Sequence, residues 1–191
     1  MKTPRLAAFV THYDDATGVL SISRGGRLLA AGDLGSAEGR EAIEVFCAAE
    51  FADDLRGAPK VLTAPDGFRF MDSARSGFVS LLNLASVRDI ARLVGRDEVD
   101  PARFRMNIGI DGLPPWGEFD LIGKDIEIGQ VRLRVLKATE RCSATNVAPR
   151  RGISDLAVPQ ALLRAFGHAN CGVYAEVVEG GDICVGDPVR S

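Results

Sequence analysis

The apolar segments of this 191-residue chain are short and are repeatedly closed by glycine turns, and that punctuation limits the fold more than any other feature. Runs such as residues 78–82 and 90–94 are flanked by charged or polar residues. A membrane-spanning helix needs about 20 consecutive apolar residues, so none is expected. A doubly wound parallel sheet needs regular alternation of strand and helix, which this sequence lacks. Many short strands with a few helices are instead the pattern of a closed or partly closed β-barrel with helices packed outside. The expected fold class is therefore mainly β with peripheral helices (α+β).

Residues 6–13, 19–23 and 27–31 read as a three-stranded meander, joined by Asp14-Asp15-Ala16-Thr17-Gly18 and by Gly25-Gly26. Between 38 and 55, Ile43, Phe46, Cys47 and Phe51 recur at helical spacing, with Ser36 as cap and Gly57 as stop. Strands are expected at 60–63, 68–71 and 79–84, and Ser86 is expected to cap a helix over 87–94 that Gly95 ends. A strand is expected over 103–110, and a hairpin of 126–128 and 131–135 around Gly129-Gln130. A helix over 158–166 has Pro159 in its first turn. Residues 172–178 and 183–185 read as a closing hairpin around Glu179-Gly180-Gly181-Asp182. No internal repeat or linker interrupts the chain, which reads as a single domain over 1–191.

Composition agrees: 46% hydrophobic and 26% charged residues argue against disorder. A net charge of −3 gives no reason to expect nucleic acid or an anionic membrane as partner. The opening Met1-Lys2-Thr3-Pro4-Arg5 leads into a mixed segment rather than a signal-peptide core, so a cytoplasmic location is expected. Cys47, Cys142, Cys171 and Cys184 then read as reduced thiols, with no zinc-finger spacing among them. Cys171 and Cys184 fall in apolar segments and are expected in the core.

Two groups of residues could carry chemistry. On a strand over 103–110, Arg103, Arg105 and Asn107 would share one face, a ridge suited to a polyanionic, hydrogen-bond-rich ligand. The same alternation also describes a solvated strand face. The second group is Arg141-Cys142-Ser143-Ala144-Thr145. A cysteine beside arginine can have a lowered pKa, and its thiolate is both a nucleophile and a soft metal ligand. Residues 131–151 hold Arg132, Arg134, Lys137, Arg141, Arg150 and Arg151 against the single acid Glu140, a basic island in an acidic protein. A lone cysteine is nonetheless more often structural than catalytic. His12 and His168 sit in no metal-ligand motif, and a Cys142–His168 dyad lacks a third orienting group. Asp53, Asp54, Glu118 and Asp120 read as surface charges.

These residues carry a resemblance. Arg141-Cys142-x-x-Thr145-x-Val147, then Gly172-Val173-Tyr174-Ala175 and Gly180-Gly181-x-Ile183-x-Val185-Gly186-Asp187-Pro188-Val189, resemble the signature of the MOSC domain, the C-terminal module of molybdenum cofactor sulfurases. Arg103-Phe104-Arg105-x-Asn107 and Leu121-Ile122-Gly123 are similar to it as well. Asp72, Leu81-Leu82, Ala85-Ser86-Val87-x-Asp89 and Pro4-Arg5-Leu6-Ala7 resemble its amidoxime-reducing branch.

The resemblance implies a MOSC-like β-barrel that binds molybdenum cofactor (molybdopterin). It implies Cys142 as the molybdenum ligand and catalytic residue of an oxidoreductase that reduces N-hydroxylated small molecules. Arg103, Arg105, Asn107, Arg141 and Thr145 would serve cofactor binding, with Arg105 and Asn107 on the pterin and its phosphate, and Asp72 and Ser73 against the pterin. The alternative it implies is a non-catalytic carrier of cofactor or persulfide sulfur that uses Cys142. A separate electron-donor or sulfur-donor protein is expected, because no iron–sulfur cysteine set or pyridoxal-phosphate lysine motif is present. The sequence departs from the family in three places. Met106 stands where proline is usual, and Ala148-Pro149-Arg150-Arg151-Gly152 replaces an Asp-Pro-x-Thr-Gly segment. The N-terminal barrel region is short, with residues 1–60 as its remnant and 61–191 as the MOSC core, so cofactor binding is expected to be weak, absent or completed by a second chain.

Overall fold

The computed structural model describes residues 3–63 and 77–191. They form two compact units, Met1–Pro65 with Val147–Asp155, and Asp66–Asn146 with Leu156–Ser191.

In the first unit, Pro4 opens a short 3-10 helix, Pro4–Ala8, so the first strand starts later than the sequence suggests. Strands β1 (Val10–Asp14), β2 (Val19–Arg24) and β3 (Arg27–Asp33) form the expected antiparallel meander. Helix α1 (Ala37–Glu50) begins where the Ser36 hydroxyl accepts the Gly39 N–H at 3.0 Å. It lies against β3 with its backbone close to the strand; a Cβ on Gly39 would strike the Asp33 backbone. The helix ends before Gly57, at Glu50, where Phe51 leaves helical geometry and packs edge-on against Phe9 at 5.5 Å. No strand forms at 60–63, because Glu44 captures that segment through Lys60 Nζ at 2.7 Å and the Val61 N–H at 2.9 Å. The strand expected at 68–71 lies outside the described residues.

The second unit holds β4 (Val79–Asn83), α2 (Leu84–Leu93), β5 (Ile108–Ile110), β6 (Asp125–Ile128), β7 (Val131–Glu140), α3 (Val158–Phe166), β8 (Asn170–Glu179) and β9 (Val189–Arg190). The sheet order is β5-β4-β8-β7-β6-β9, with β4 and β5 parallel and the other pairs antiparallel. The two edge strands, β5 and β9, line one cleft, so the sheet curls into a nearly closed mixed barrel. The fold is thus the mainly β, α+β barrel that the glycine punctuation predicts.

Alternation on β7 shows how the barrel fills: Val131, Leu133 and Val135 are buried while Arg132 and Arg134 face outward. Those valines and leucine join Leu81, Ile110, Ile126, Ile128 and Val173 in the interior core. Central strand β4 is buried along its whole length, and its Leu82 belongs to a second core with Ile90 of α2, Leu162 of α3 and Cys171 of β8. A β-bulge marks β8, where one extra residue lies between the pairs Ala138↔Val173 and Glu140↔Asn170. Gly172 sits there with φ +79°.

Local readings are corrected in three places. Asn83, not Ser86, caps α2, accepting the Ala85 N–H at 3.0 Å. The strand expected over 103–110 is reduced to Ile108–Ile110, because Asp100 caps a 3-10 helix, Pro101–Phe104, and Arg105 turns left-handed at φ +52°. Residues 183–185 form no strand; the Cys184 N–H is held by the Asp187 carboxylate at 2.7 Å, and β9 pairs with β6 instead. Cys184 is accordingly exposed rather than in the core. Among the described residues, no helix is long and apolar enough to cross a membrane.

Candidate functional site

The Arg141-Cys142 pair lies where β7 leaves the sheet. The ladder ends at Glu140↔Asn170, and one further bond, Arg141 N–H to the Ala169 carbonyl at 2.8 Å, holds the exit. The chain then turns into a 3-10 helix, Ser143–Asn146. Thr145 fixes Cys142 from below: its N–H and its hydroxyl donate to the Cys142 carbonyl at 3.2 and 2.9 Å. The backbone at Cys142 is therefore held while its thiol is exposed.

Arg141 is not aimed at that thiol. Its Nη2 donates to the Phe104 carbonyl at 2.6 Å, its Nη1 to the Met106 sulfur at 3.1 Å, and its Cζ lies 5.6 Å from the centre of the Phe104 ring. Burial pushes the guanidinium pKa down from its ordinary value. Nε is buried without a hydrogen-bond partner among the described residues, as is the Thr139 hydroxyl two residues earlier. Arg103 ties the 3-10 helix after Cys142 to its own: it is 8% exposed, and its Nη1 donates to the Asn146 carbonyl at 3.2 Å.

The expected ridge of Arg103, Arg105 and Asn107 does not form, because the left-handed residue breaks the alternation. Arg103 is buried, while Arg105 and Asn107 are exposed. Asn107 instead clamps β4: its Oδ1 accepts the Ser80 N–H at 2.9 Å and the Ser80 hydroxyl at 2.7 Å. The structure thus gathers Arg103, Arg141, Cys142 and Thr145 around two 3-10 helices and leaves Asn107 further along β4. Asp72 and Ser73 lie outside the described residues.

The basic island of the sequence is not one patch. Arg134 pairs with Asp125 at 2.7 Å and holds that carboxyl below its usual range. Arg132 faces Glu179 at 3.6 Å, and Lys137 lies over the Phe78 and Tyr174 rings. Arg150 and Arg151 belong to the other unit. His168 Nδ1 accepts the Asn170 N–H at 3.2 Å and its ring stacks on Phe166.

Sequence reading missed Glu118. Taken as a surface charge, it is fully buried. Its Oε2 accepts from Asn83 Nδ2 at 2.9 Å and from the Ser86 hydroxyl at 2.7 Å, and its Oε1 accepts the Gly172 N–H at 3.2 Å. The bulge frees the Gly172 amide from the ladder and the carboxyl satisfies it. The signal was local: an acid set between Trp116-Gly117 and Phe119 is flanked by groups that seek burial.

Among the described residues no three His, Cys, Asp or Glu side chains gather as a metal cage. What the exit of β7 offers is one exposed cysteine, with the Thr139 hydroxyl and Arg141 Nε, both buried without a partner among the described residues, within three residues of it in the chain. That donor set fits a metal brought with its own sulfur ligands, to which the protein adds one thiolate. The family model described as MOSC domain matches residues 71–190. No curated protein matches the chain.

Proposed function

The chain belongs to the MOSC domain family, and from that premise we propose that it binds the molybdenum cofactor through Cys142 and acts as an oxidoreductase on N-hydroxylated small molecules. The observation that carries the reading is the contrast between two cysteines: Cys171 is sealed in the core, while Cys142 presents its thiol from a pinned backbone. Cys142 is the metal ligand in this reading. Thr145 and the Arg141 amide hold it in place, and the Arg141 side chain positions the 103–106 segment through Phe104 and Met106. Arg105 and Asn107 would hold the pterin and its phosphate, with Asp72 and Ser73 against the pterin. Because Asn107 Oδ1 is committed to Ser80, only its Nδ2 is left to donate. The cofactor, when bound, supplies two-electron redox chemistry, and a separate protein supplies the electrons.

Exposure of the thiol also favours a second reading, a carrier that passes on cofactor or persulfide sulfur through Cys142 without turnover. Molybdenum and pterin content of the purified chain, grown with molybdate, tests the first. The expected result is about one of each per chain, with metal lost in Cys142→Ser. Full metal in that variant refutes it. A metal-free chain whose Cys142 takes up persulfide sulfur supports the carrier.

A further inference from the structure

Four rings of the second unit, none of them assigned to the cofactor, meet in a closed circuit. Trp116 lies nearly parallel to Phe119, 6.2 Å apart at 22°, and Phe166 nearly parallel to His168, 6.0 Å apart at 23°. The two pairs meet at steep angles and form the walls of a corner: Trp116 with Phe166 at 4.8 Å and 64°, Phe119 with His168 at 6.2 Å and 85°. Phe166 is 41% exposed and His168 is exposed, while Trp116 and Phe119 are half-buried. Trp116 takes its place under strain, since its φ of +69° lies in the left-handed region, where a bulky residue is an outlier. Two hydrogen bonds hold it there, its N–H to the Ser86 hydroxyl at 2.8 Å and its indole Nε1 to Asp89 Oδ2 at 2.9 Å. Backbone strain of this kind collects at binding and catalytic sites.

We propose that this corner binds a quaternary ammonium group carried on a small soluble molecule. The face of each ring is the negative side of a quadrupole and attracts a cation within about 6 Å of its centre, tryptophan most strongly. The His168 ring is neutral in this arrangement, because its Nδ1 accepts the Asn170 N–H. Acids behind the rings add to the field. Asp89 accepts from the indole itself, and Glu118 stands behind the Ser86 hydroxyl that receives the Trp116 N–H. Glu118 accepts three hydrogen bonds, as a carboxylate does, and a buried charge is little screened. Arg92 meets Asp89 at 3.3 Å, but its side chain is 75% exposed, so solvent weakens what it offsets. The ring walls also set the kind of cation. A charge sheathed in methyl groups packs on ring carbon, whereas a primary ammonium or a guanidinium must shed water from its N–H groups to enter. Both Asp89 oxygens are already engaged, by Trp116 and by Arg92.

Choline and 3,3-dimethylbutan-1-ol are the probes: the same shape, with and without the charge. Trp116 is the single tryptophan of the chain, so its fluorescence reads the corner directly. Titration of the full chain at constant ionic strength, with the NMR shift of the indole Nε1–H to place the probe, is expected to show saturable choline binding and the neutral alcohol at least about fivefold weaker. Phe166→Leu, at an exposed site, keeps apolar bulk but removes one ring, and should weaken choline about two- to fivefold. Asp89→Asn keeps an acceptor for the indole but removes the charge, and should weaken choline roughly two- to threefold while leaving the alcohol unchanged. Cys142→Ser should bind choline as the parent does; loss there overturns the proposal, while metal content still tests the cofactor reading by itself. No saturation by choline at about 0.1 M, equal binding of the two probes, or undiminished binding in Phe166→Leu also overturns it. Phosphatidylcholine vesicles are the last arm: a chain that sediments with them yet is not saturated by free choline takes its headgroup from a membrane, which refutes the soluble ligand.

Discussion

Replacing Glu118 by leucine separates two opposed effects in the barrel. The carboxyl is fully buried, so removing it recovers its desolvation cost, and leucine restores most of the lost volume. Against that stand the donors it leaves behind. Asn83 Nδ2 keeps a second acceptor, the Pro114 carbonyl at 2.8 Å. The Ser86 hydroxyl keeps only the incoming Trp116 N–H at 2.8 Å and loses its own acceptor. The Gly172 N–H, already outside the ladder, is stranded. Two stranded buried donors at about 1–3 kcal/mol each put the expected loss at about 2–6 kcal/mol. For a chain of this size about 2–4 °C follows each kcal/mol, so the melting temperature should fall by roughly 4–24 °C. Glu118→Ala adds a cavity and should be worse. Glu118→Gln keeps one oxygen for Gly172 and sets an amide against Asn83 Nδ2, and should lose only about 1–2 kcal/mol. Urea denaturation gives the ranking, and hydrogen exchange at the Gly172 amide gives the cause: that proton should exchange faster in Leu and Ala but not in Gln. A leucine variant as stable as the parent, or unchanged protection at Gly172, would refute the reasoning, because desolvation would then outweigh the network.

Two further outcomes follow from the thiols and the bulge. Ellman's reagent should react at once with Cys142 and Cys184, more slowly with half-buried Cys47, and with Cys171 only on unfolding. Burial pushes the Cys171 thiol pKa up, so the folded chain keeps that proton where the unfolded chain, with an ordinary value of about 8.5, releases it. This contribution to stability is fully present below about pH 8.5 and is lost as pH rises above it, so the urea midpoint should fall between pH 8 and 10 by less in Cys171→Ala than in the parent. Gly172→Ala should cost about 2–4 kcal/mol by denaturation, since its Cβ would lie 2.6 Å from the Leu81 carbonyl oxygen and 2.7 Å from the Met106 methyl at a left-handed φ. Gly167→Ala, left-handed at φ +74° but in open space, should lose only the backbone preference of about 1–2 kcal/mol.

The parts of the fold legible in the sequence are those decided within a few residues. Helix α3 occupies the expected 158–166, because Pro159 starts it and Gly167 takes the left-handed cap. The β6–β7 hairpin falls around Gly129 for the same reason. Failures came where a local pattern had two solutions and tertiary contacts chose. Residues 103–110 alternate like a strand, yet Asp100-Pro101 starts a 3-10 helix that the hydrogen bonds of Arg103 to Asn146 and of Arg141 to Phe104 then tie down. Ser86 looks like a cap, but its hydroxyl serves Glu118, leaving the capping to Asn83. Residues 183–185 look like a strand, but pairing along β6 goes to Val189 and Arg190.

The candidate site follows the same logic with charge in place of backbone. A count along residues 131–151 joins charges that the strand sends to different places, because alternation turns Arg132 and Arg134 outward and neighbouring strands supply their acids. Sequence could find Cys142, since a motif names it, but could not show that Arg141 is engaged by Phe104 and Met106. That engagement changes the argument for Cys142. An arginine held in this way, its pKa lowered by burial, is a positioning group for residues 103–106. The availability of the thiol rests on where β7 ends and how Thr145 ties the turn. Met106 then gains a reason: its sulfur accepts from Arg141, and its methyl lies 2.7 Å from where a Cβ on Gly172 would be. The bulge, the Glu118 carboxyl and the Arg-Cys motif are therefore linked through Gly172 and Met106 in one packed path, and a substitution at Gly172 should disturb the exit of β7 from the inside.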